Sequence, residues 1–398
     1  MMPSKPHAHD DAIAIIEYRA LRGTKMTGLE GLVCVKDFEE RALRTLAKHP
    51  LDYYQSGAGH EHSLRLAKDA YLRVKLKPRV LRDVSNCSLK TSVLGRPATL
   101  PFGVAPTALQ RMAHPEGESA NARAAQTRGA VFILSTLSTT PIEDVAAAAL
   151  DARKWFQLYI YKDRGVTRQL VQRAQEAGFE AIVLTVDAPI FGIRYADTRN
   201  KFSLPPHLEV ANFKGITRSD MTSSGTGSGV NEYVAGLLDR SLTWKDVAWL
   251  KSITQLPVIL KGILTVEDAE LALKHGAAGI IVSSHGARQV DTVPAPLEVL
   301  PGIVEKLKGT SCEVYVDGGI STGTDIFKAI AIGARMAFVG RPAVWGLACG
   351  GQQGVEKVLG ILEDELRITM TLSGVGSIEE INRDYVDIPS VWTSASKL

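Results

Sequence analysis

The chain runs to 398 residues, 45% hydrophobic and 22% charged, and its 46 basic and 43 acidic side chains leave a formal net charge of +3. The charges are well mixed, so there is no basic block to hold nucleic acid and no acidic arm; no apolar run nears the roughly 18 residues that would span a bilayer. The four cysteines, Cys34, Cys87, Cys312 and Cys349, lie far apart without the spacing of a zinc site or redox pair.

That cysteine usage fits a reducing compartment, and the opening MMPSKPHAHDDAIA lacks the apolar core of a secretory signal. Residues 1–98 show helical periodicity around 36–48 and 62–70. Strands are then expected at 99–106, 130–136, 154–160, 180–187, 257–262, 279–285, 313–319 and 336–342. Helices are expected at 116–128, 165–177, 243–253, 265–275, 295–308 and 323–333. The strand candidates are continuous apolar runs, as in a sheet buried on both faces. Eight strand–helix units predict an α/β fold, a (β/α)8 TIM barrel with a helical segment before it. An open doubly wound sheet is the competitor, but no G-x-G-x-x-G follows the first strand to support it. After the fourth strand comes a long insertion, 202–242, containing Thr222-Ser-Ser-Gly-Thr-Gly-Ser-Gly229. Such a tract cannot pack a core, and at this place it is expected to form a flexible lid. The chain ends Ser396-Lys397-Leu398, the peroxisomal address. A peroxisomal location with an import receptor as partner follows; without that signal the chain is expected in the cytoplasm.

In such barrels the active site lies at the C-terminal ends of the strands. Those ends carry Pro106-Thr107-Ala108, Ser135, Gln157 and Tyr159, Thr185 and Asp187, Lys261, His285 with Arg288, Asp317-Gly318-Gly319, and Gly340-Arg341. The glycines after strands seven and eight let backbone N–H groups approach a phosphate, with Arg341 as its guanidinium partner. Lys261 is placed either to form a Schiff base or to hold an electron-rich ring by its charge; pairing with a buried acid is the structural alternative. Of nine histidines, His285 alone ends a barrel strand, and an imidazole suits proton abstraction near neutrality. Arg288 can clamp a carboxylate bidentately, and Asp187 can orient the imidazole. The His60-Glu61-His62 cluster alternates on a polar segment and is not expected to bind a metal.

The stretch SSHGARQVD resembles the S-N-H-G-A-R-Q-x-D signature of the FMN-dependent α-hydroxy-acid oxidases and dehydrogenases, the glycolate oxidase and flavocytochrome b2 family. Further matches are DYYQSGA at 52–58, APTA at 105–108, FQLY at 156–159, LTVDAP at 184–189, R-x-A-D at 194–197, LKG at 260–262, DGG at 317–319 and GRP at 340–342. The resemblance implies an FMN cofactor and an (S)-2-hydroxy-acid substrate oxidised to the 2-oxo acid. It implies His285 as base, paired with Asp187, and Tyr53, Arg194 and Arg288 around the substrate carboxylate. Tyr159 would face the substrate hydroxyl and Lys261 the N1–O2 edge of the flavin. Pro106, Thr107, Ala108, Ser135, Gln157 and Thr185 would line the flavin; Asp317, Gly318, Gly319, Gly340 and Arg341 would hold its ribityl phosphate. A homotetramer is implied in the same way.

Three positions depart from that pattern. Ser284 replaces the asparagine before the histidine, and Ser321 stands where the family has an arginine. Leu137 replaces the tryptophan of glycolate oxidase, which should admit substrates longer than glycolate. The match spans about 33–386, giving an expected division into a flexible extension 1–32, the catalytic barrel 33–386 and a tail 387–398. About 30 residues precede the match, too few for a haem domain, so dioxygen is the expected acceptor and hydrogen peroxide the product. Other readings carried forward are an FMN-dependent oxidase of a cyclic amino or imino acid or secondary metabolite, a Lys261 Schiff-base aldolase, and a non-catalytic FMN-binding module.

Overall fold

The computed structural model describes residues 28–214 and 236–394. The expected lid tract 222–229, most of the extension 1–32 and the terminal Ser-Lys-Leu lie outside the described residues. Eight parallel strands close into a barrel: β1 (Phe102–Val104), β2 (Val131–Leu134), β3 (Lys154–Leu158), β4 (Ala181–Thr185), β5 (Val258–Ile263), β6 (Gly279–Val282), β7 (Glu313–Asp317) and β8 (Met336–Val339). Closure comes from β8 pairing with β1, Phe338 opposite Gly103. That pairing excludes the open sheet.

All eight expected strands are present, and all but β5 are shorter at their C-terminal ends than the apolar runs suggested, because those ends bend into the loops that carry the polar residues. The helices between them start where the sequence supplies caps. α8 (Trp244–Ser252), α9 (Val266–Lys274) and α11 (Gly323–Ile332) each follow a Thr-x-x-Asp segment, Thr243 to Asp246, Thr265 to Asp268 and Thr322 to Asp325. In each the threonine hydroxyl accepts a first-turn N–H that the helix itself leaves unpaired. α4 (Gly117–Arg128), α5 (Ile142–Ala148), α6 (Arg164–Glu176), the short α7 (Tyr195–Asn200) and α10 (Pro296–Leu307) complete the outer layer up to the last strand.

The end of the barrel opposite the site is filled by aromatic rings. Trp155 and Tyr315 are buried there, and Phe338, which also borders the site cavity, packs on both, the ring centroids 5.5 to 6.0 Å apart. A hairpin of residues 91–93 and 96–98 covers that end, Leu94 packing against this cluster while its N–H donates to Glu313.

Three helices before the barrel, α1 (Val35–Thr45), α2 (Lys48–Gln55) and α3 (His62–Arg73), rest on the opposite rim. Asp291 fixes them there by accepting from the N–H groups of His60 and Ser63 at the start of α3. The last long helix, α12 (Arg341–Leu372), is bent where Gly350 and Gly351 leave helical geometry. The described flanks of the insertion are fastened to the rim: Asn212 accepts from Ile142 N–H and donates to Thr136 O and Ser138 Oγ.

Candidate active site

One cavity, about 1380 Å³ including its open mouth, runs across the C-terminal end of the barrel. Its wall contains Tyr53, Pro106, Thr107, Ala108, Ser135, Leu137, Tyr159, Arg194, Lys261, His285, Arg288, Asp317, Gly318, Gly319, Gly340 and Arg341. These residues come from the pre-barrel helices and from the ends of the eight strands or the segments that follow them. The structure therefore brings most of the predicted set together.

At one end of the cavity stands His285. Its Nδ1 lies 2.8 Å from Asp187 Oδ1, and an ionised carboxylate can only accept, so the Nδ1 position carries the proton and Nε2 is free to act as a base. Asp187 is itself held close: a Cβ on Gly262 would lie 2.5 Å from the Asp187 carboxyl carbon, so that strand position tolerates only glycine. Gln289 donates to the Asp187 carbonyl and ties the two loops together. The backbone is left-handed at His285, Gly286 and Ala287, with φ of 57°, 64° and 60°. For non-glycine residues that conformation costs about 1–3 kcal/mol each and is sustained only by surrounding contacts. Here one contact is Ser283, whose buried hydroxyl accepts from His285 N–H at 3.0 Å and from Lys261 Nζ at 2.8 Å. Ser283 joins the base to the lysine and was missed as a functional residue, although it lies inside the quoted motif.

Lys261 also pairs with Asp317 at 3.0 Å, both side chains 6% exposed. This is the buried acid that was the structural alternative for the lysine, yet Lys261 remains in the cavity wall. Its Nζ is engaged by that carboxylate and by Ser283 Oγ, which works against a Schiff-base role. Asp317 Oδ1 is buried without a hydrogen-bond partner, an acceptor suited to a hydroxyl donor on a ligand.

Three arginines line the same cavity. Arg288 lies over the Tyr53 ring at 4.9 Å and donates to the carbonyls of Tyr53 and Ser56. Burial, and then Arg194 nearby, pull its guanidinium down to about 9. Arg341 donates to the carbonyls of Tyr54, Gly286 and Ser56, and burial lowers it to about 10. Arg194 is the one with a carboxylate partner, Asp197 at 2.6 Å. The cluster is short of negative charge and favours an anion. Tyr159 is buried, and desolvation followed by Asp187 pushes its phenol well above the usual range, so it stays a donor at neutral pH. Leu137, Phe191 and Tyr159 make an apolar wall beside it.

Gln157, Thr185 and Asp187 are not in the wall of this cavity. Gln157 and Thr185 continue a buried chain from Ser135, whose hydroxyl donates to Gln157 Oε1 at 3.3 Å while Gln157 Nε2 donates to Thr185 Oγ1 at 3.0 Å. Thr185 and Asp187 border a second cavity on the β4–β5 side. Glu118, fully buried, accepts from Gln110 N–H, Thr139 N–H and the hydroxyls of Thr139 and Thr140, locking the loops after β1 and β2. No local signal marked it.

A family model described as FMN-dependent dehydrogenase matches residues 42–388. Glycolate oxidase of Spinacia oleracea is 50% identical over 352 residues, covering 88% of this chain and 95% of that protein. 2-Hydroxyacid oxidase 1 of Homo sapiens is 48% identical over 360 residues, covering 90% and 97%. A solved structure of mandelate oxidase with (S)-4-hydroxymandelic acid superposes with a TM-score of 0.85 at 42% identity, covering 89% of this chain and 98% of that one.

Proposed function

Because this chain belongs to the family of FMN-dependent dehydrogenases, we propose that it oxidises (S)-2-hydroxy acids to 2-oxo acids at the cavity described above, passing the electrons to dioxygen. The observation that carries this reading is His285, paired with Asp187, standing in one cavity with Arg288, a half-buried guanidinium that has no carboxylate partner among the described residues. The relatives named above act on such acids by their names, and the family model that this chain matches is FMN-dependent.

The residues fit the cofactor on structural grounds. The orphaned acceptor Asp317 Oδ1 would take a hydroxyl of the ribityl chain, the Lys261 ammonium would meet the electron-accepting edge, and the Gly318-Gly319 and Gly340 turns would border the phosphate. Ser135, with Gln157 and Thr185 behind it, and Pro106, Thr107 and Ala108 would hold the ring. When bound, FMN accepts the two electrons of the oxidation.

The protein's own residues do the rest. Arg288 and Arg194 draw the substrate carboxylate to one side of the cavity, with Tyr53 between them. Tyr159, kept protonated by burial, donates to the substrate hydroxyl. His285 Nε2 takes the proton that leaves the substrate; Asp187 fixes the tautomer and stabilises the imidazolium that results. The strained turn at His285 holds the ring in place before substrate arrives. Whether the proton comes from the hydroxyl or from Cα, it ends on the same nitrogen.

Leu137 leaves the apolar wall without an indole, which favours side chains larger than that of glycolate. An imino-acid or secondary-metabolite substrate is not favoured, since the relatives are named for hydroxy acids. Peroxisomal import through Ser396-Lys397-Leu398 and assembly as a homotetramer belong to the same proposal. Among the described residues no helix is long and apolar enough to cross a membrane.

The test is an anaerobic titration of the yellow protein with glycolate, (S)-lactate, longer aliphatic 2-hydroxy acids and (S)-mandelate. Loss of the visible flavin bands with one or more, fastest beyond glycolate, is the expected result. A protein bleached by none of them is not a hydroxy-acid oxidase, and preference for glycolate overturns the role given to Leu137.

A further inference from the structure

The phosphate end of the cavity has an uneven charge inventory. Its last turn carries Ser321, which contributes no charge; its N–H and hydroxyl are turned to Asp325. Arg341 has three of its five N–H donors engaged with backbone carbonyls. A carboxylate, Glu39 of α1, is part of the same wall. A phosphate monoester bears about −1.5 to −2 at pH 7, so Glu39 opposes it and cancels Arg341. Among the described residues, the other cation beside Glu39 in this wall is Lys68.

Lys68 sits where a phosphate cation is needed. It belongs to α3, and α3 touches the Gly318-Gly319 turn so closely that a Cβ on Gly319 would lie 2.0 Å from Ala67 O and 3.2 Å from Lys68 N. Gly319 has φ of 80° and can hold this approach because it has no side chain. The Lys68 ammonium lies 3.0 Å from Glu39 Oε1 and 3.4 Å from Oε2, with 52% and 29% of the two side chains exposed. An ion pair that exposed adds little to folding. It does keep the ammonium on a residue that lines the same cavity as the Gly318-Gly319 turn.

We propose that Lys68 is the phosphate cation of this chain, held in readiness by Glu39 and standing in for the charge that Ser321 lacks. The inference rests on the flavin-binding reading above. On binding, the ammonium exchanges its carboxylate partner for the phosphate, and Glu39 sets how readily it does so. A pre-barrel helix thereby becomes part of the cofactor site.

The experiment compares FMN with riboflavin, which lacks the phosphate, by titrating apoprotein and following the quenching of flavin fluorescence. Lys68→Met is expected to weaken FMN about tenfold while riboflavin is unchanged, and Glu39→Gln to tighten FMN with riboflavin again unchanged. Ser321→Arg in the Lys68→Met background should restore FMN affinity. Equal weakening of both flavins by Lys68→Met, or no change in FMN, overturns the proposal. A parent apoprotein that binds neither flavin overturns the cofactor assignment along with it.

Discussion

The two ends of the barrel solve opposite problems with the same eight strands. At the closed end Trp155 and Tyr315 fill the interior and a hairpin covers it, so nothing is left for a ligand to do. At the open end the strands finish in charges, left-handed turns and acceptors without partners. The first arrangement stabilises the fold; the second uses part of that stability to hold strained and desolvated groups in place. The difference teaches that a residue's effect should follow its end of the barrel and not its degree of burial, since Trp155 and Lys261 are both buried.

That contrast can be broken at either end. The largest effect is expected for Asp187→Asn, which leaves the carboxamide free to favour the wrong imidazole tautomer. Substrate-driven flavin reduction should fall about 10³–10⁴-fold, with the urea midpoint unchanged. Trp155→Ala should do the reverse, losing about 3–5 kcal/mol of stability from the cavity it leaves while folded molecules reduce their flavin at the parental rate. Arg288→Met should cost about 2–5 kcal/mol of substrate binding through a lost buried charge partner, read as a rise in the apparent Kd for the hydroxy acid. Leu137→Trp sharpens the comparison within the open end itself. By filling the apolar wall it should shift selectivity toward glycolate by about 10–200-fold over longer acids, measured as the ratio of kcat/KM values.

Much of this was legible in the residues themselves. Continuous runs such as GIIV and AIVLT, short and rich in β-branched residues, read as strands buried on both sides, and their polar ends had to face a common space once the strands closed. His285, Arg288 and Asp187 were visible for that reason. What could not be read was pairing across the rim. Lys261 finds Asp317 across 56 residues, Glu39 meets Lys68 between two helices, and Glu118 gathers two loops; each depends on tertiary approach, which no local pattern encodes. The short strands that make the closing hairpin lack the length to show a period. The helix that starts at Arg341 hides its bend in a Gly-Gly pair that reads equally well as a helix end.

The claim at the centre is that one imidazole removes the proton from a hydroxy acid gripped by arginine. Its most direct test is single-turnover mixing, without oxygen, of (S)-lactate with the parent and with His285→Gln, each loaded with FMN. The parent should lose its yellow colour while His285→Gln, binding flavin equally well, keeps it on the same timescale. Bleaching of His285→Gln at the parental rate would contradict the account.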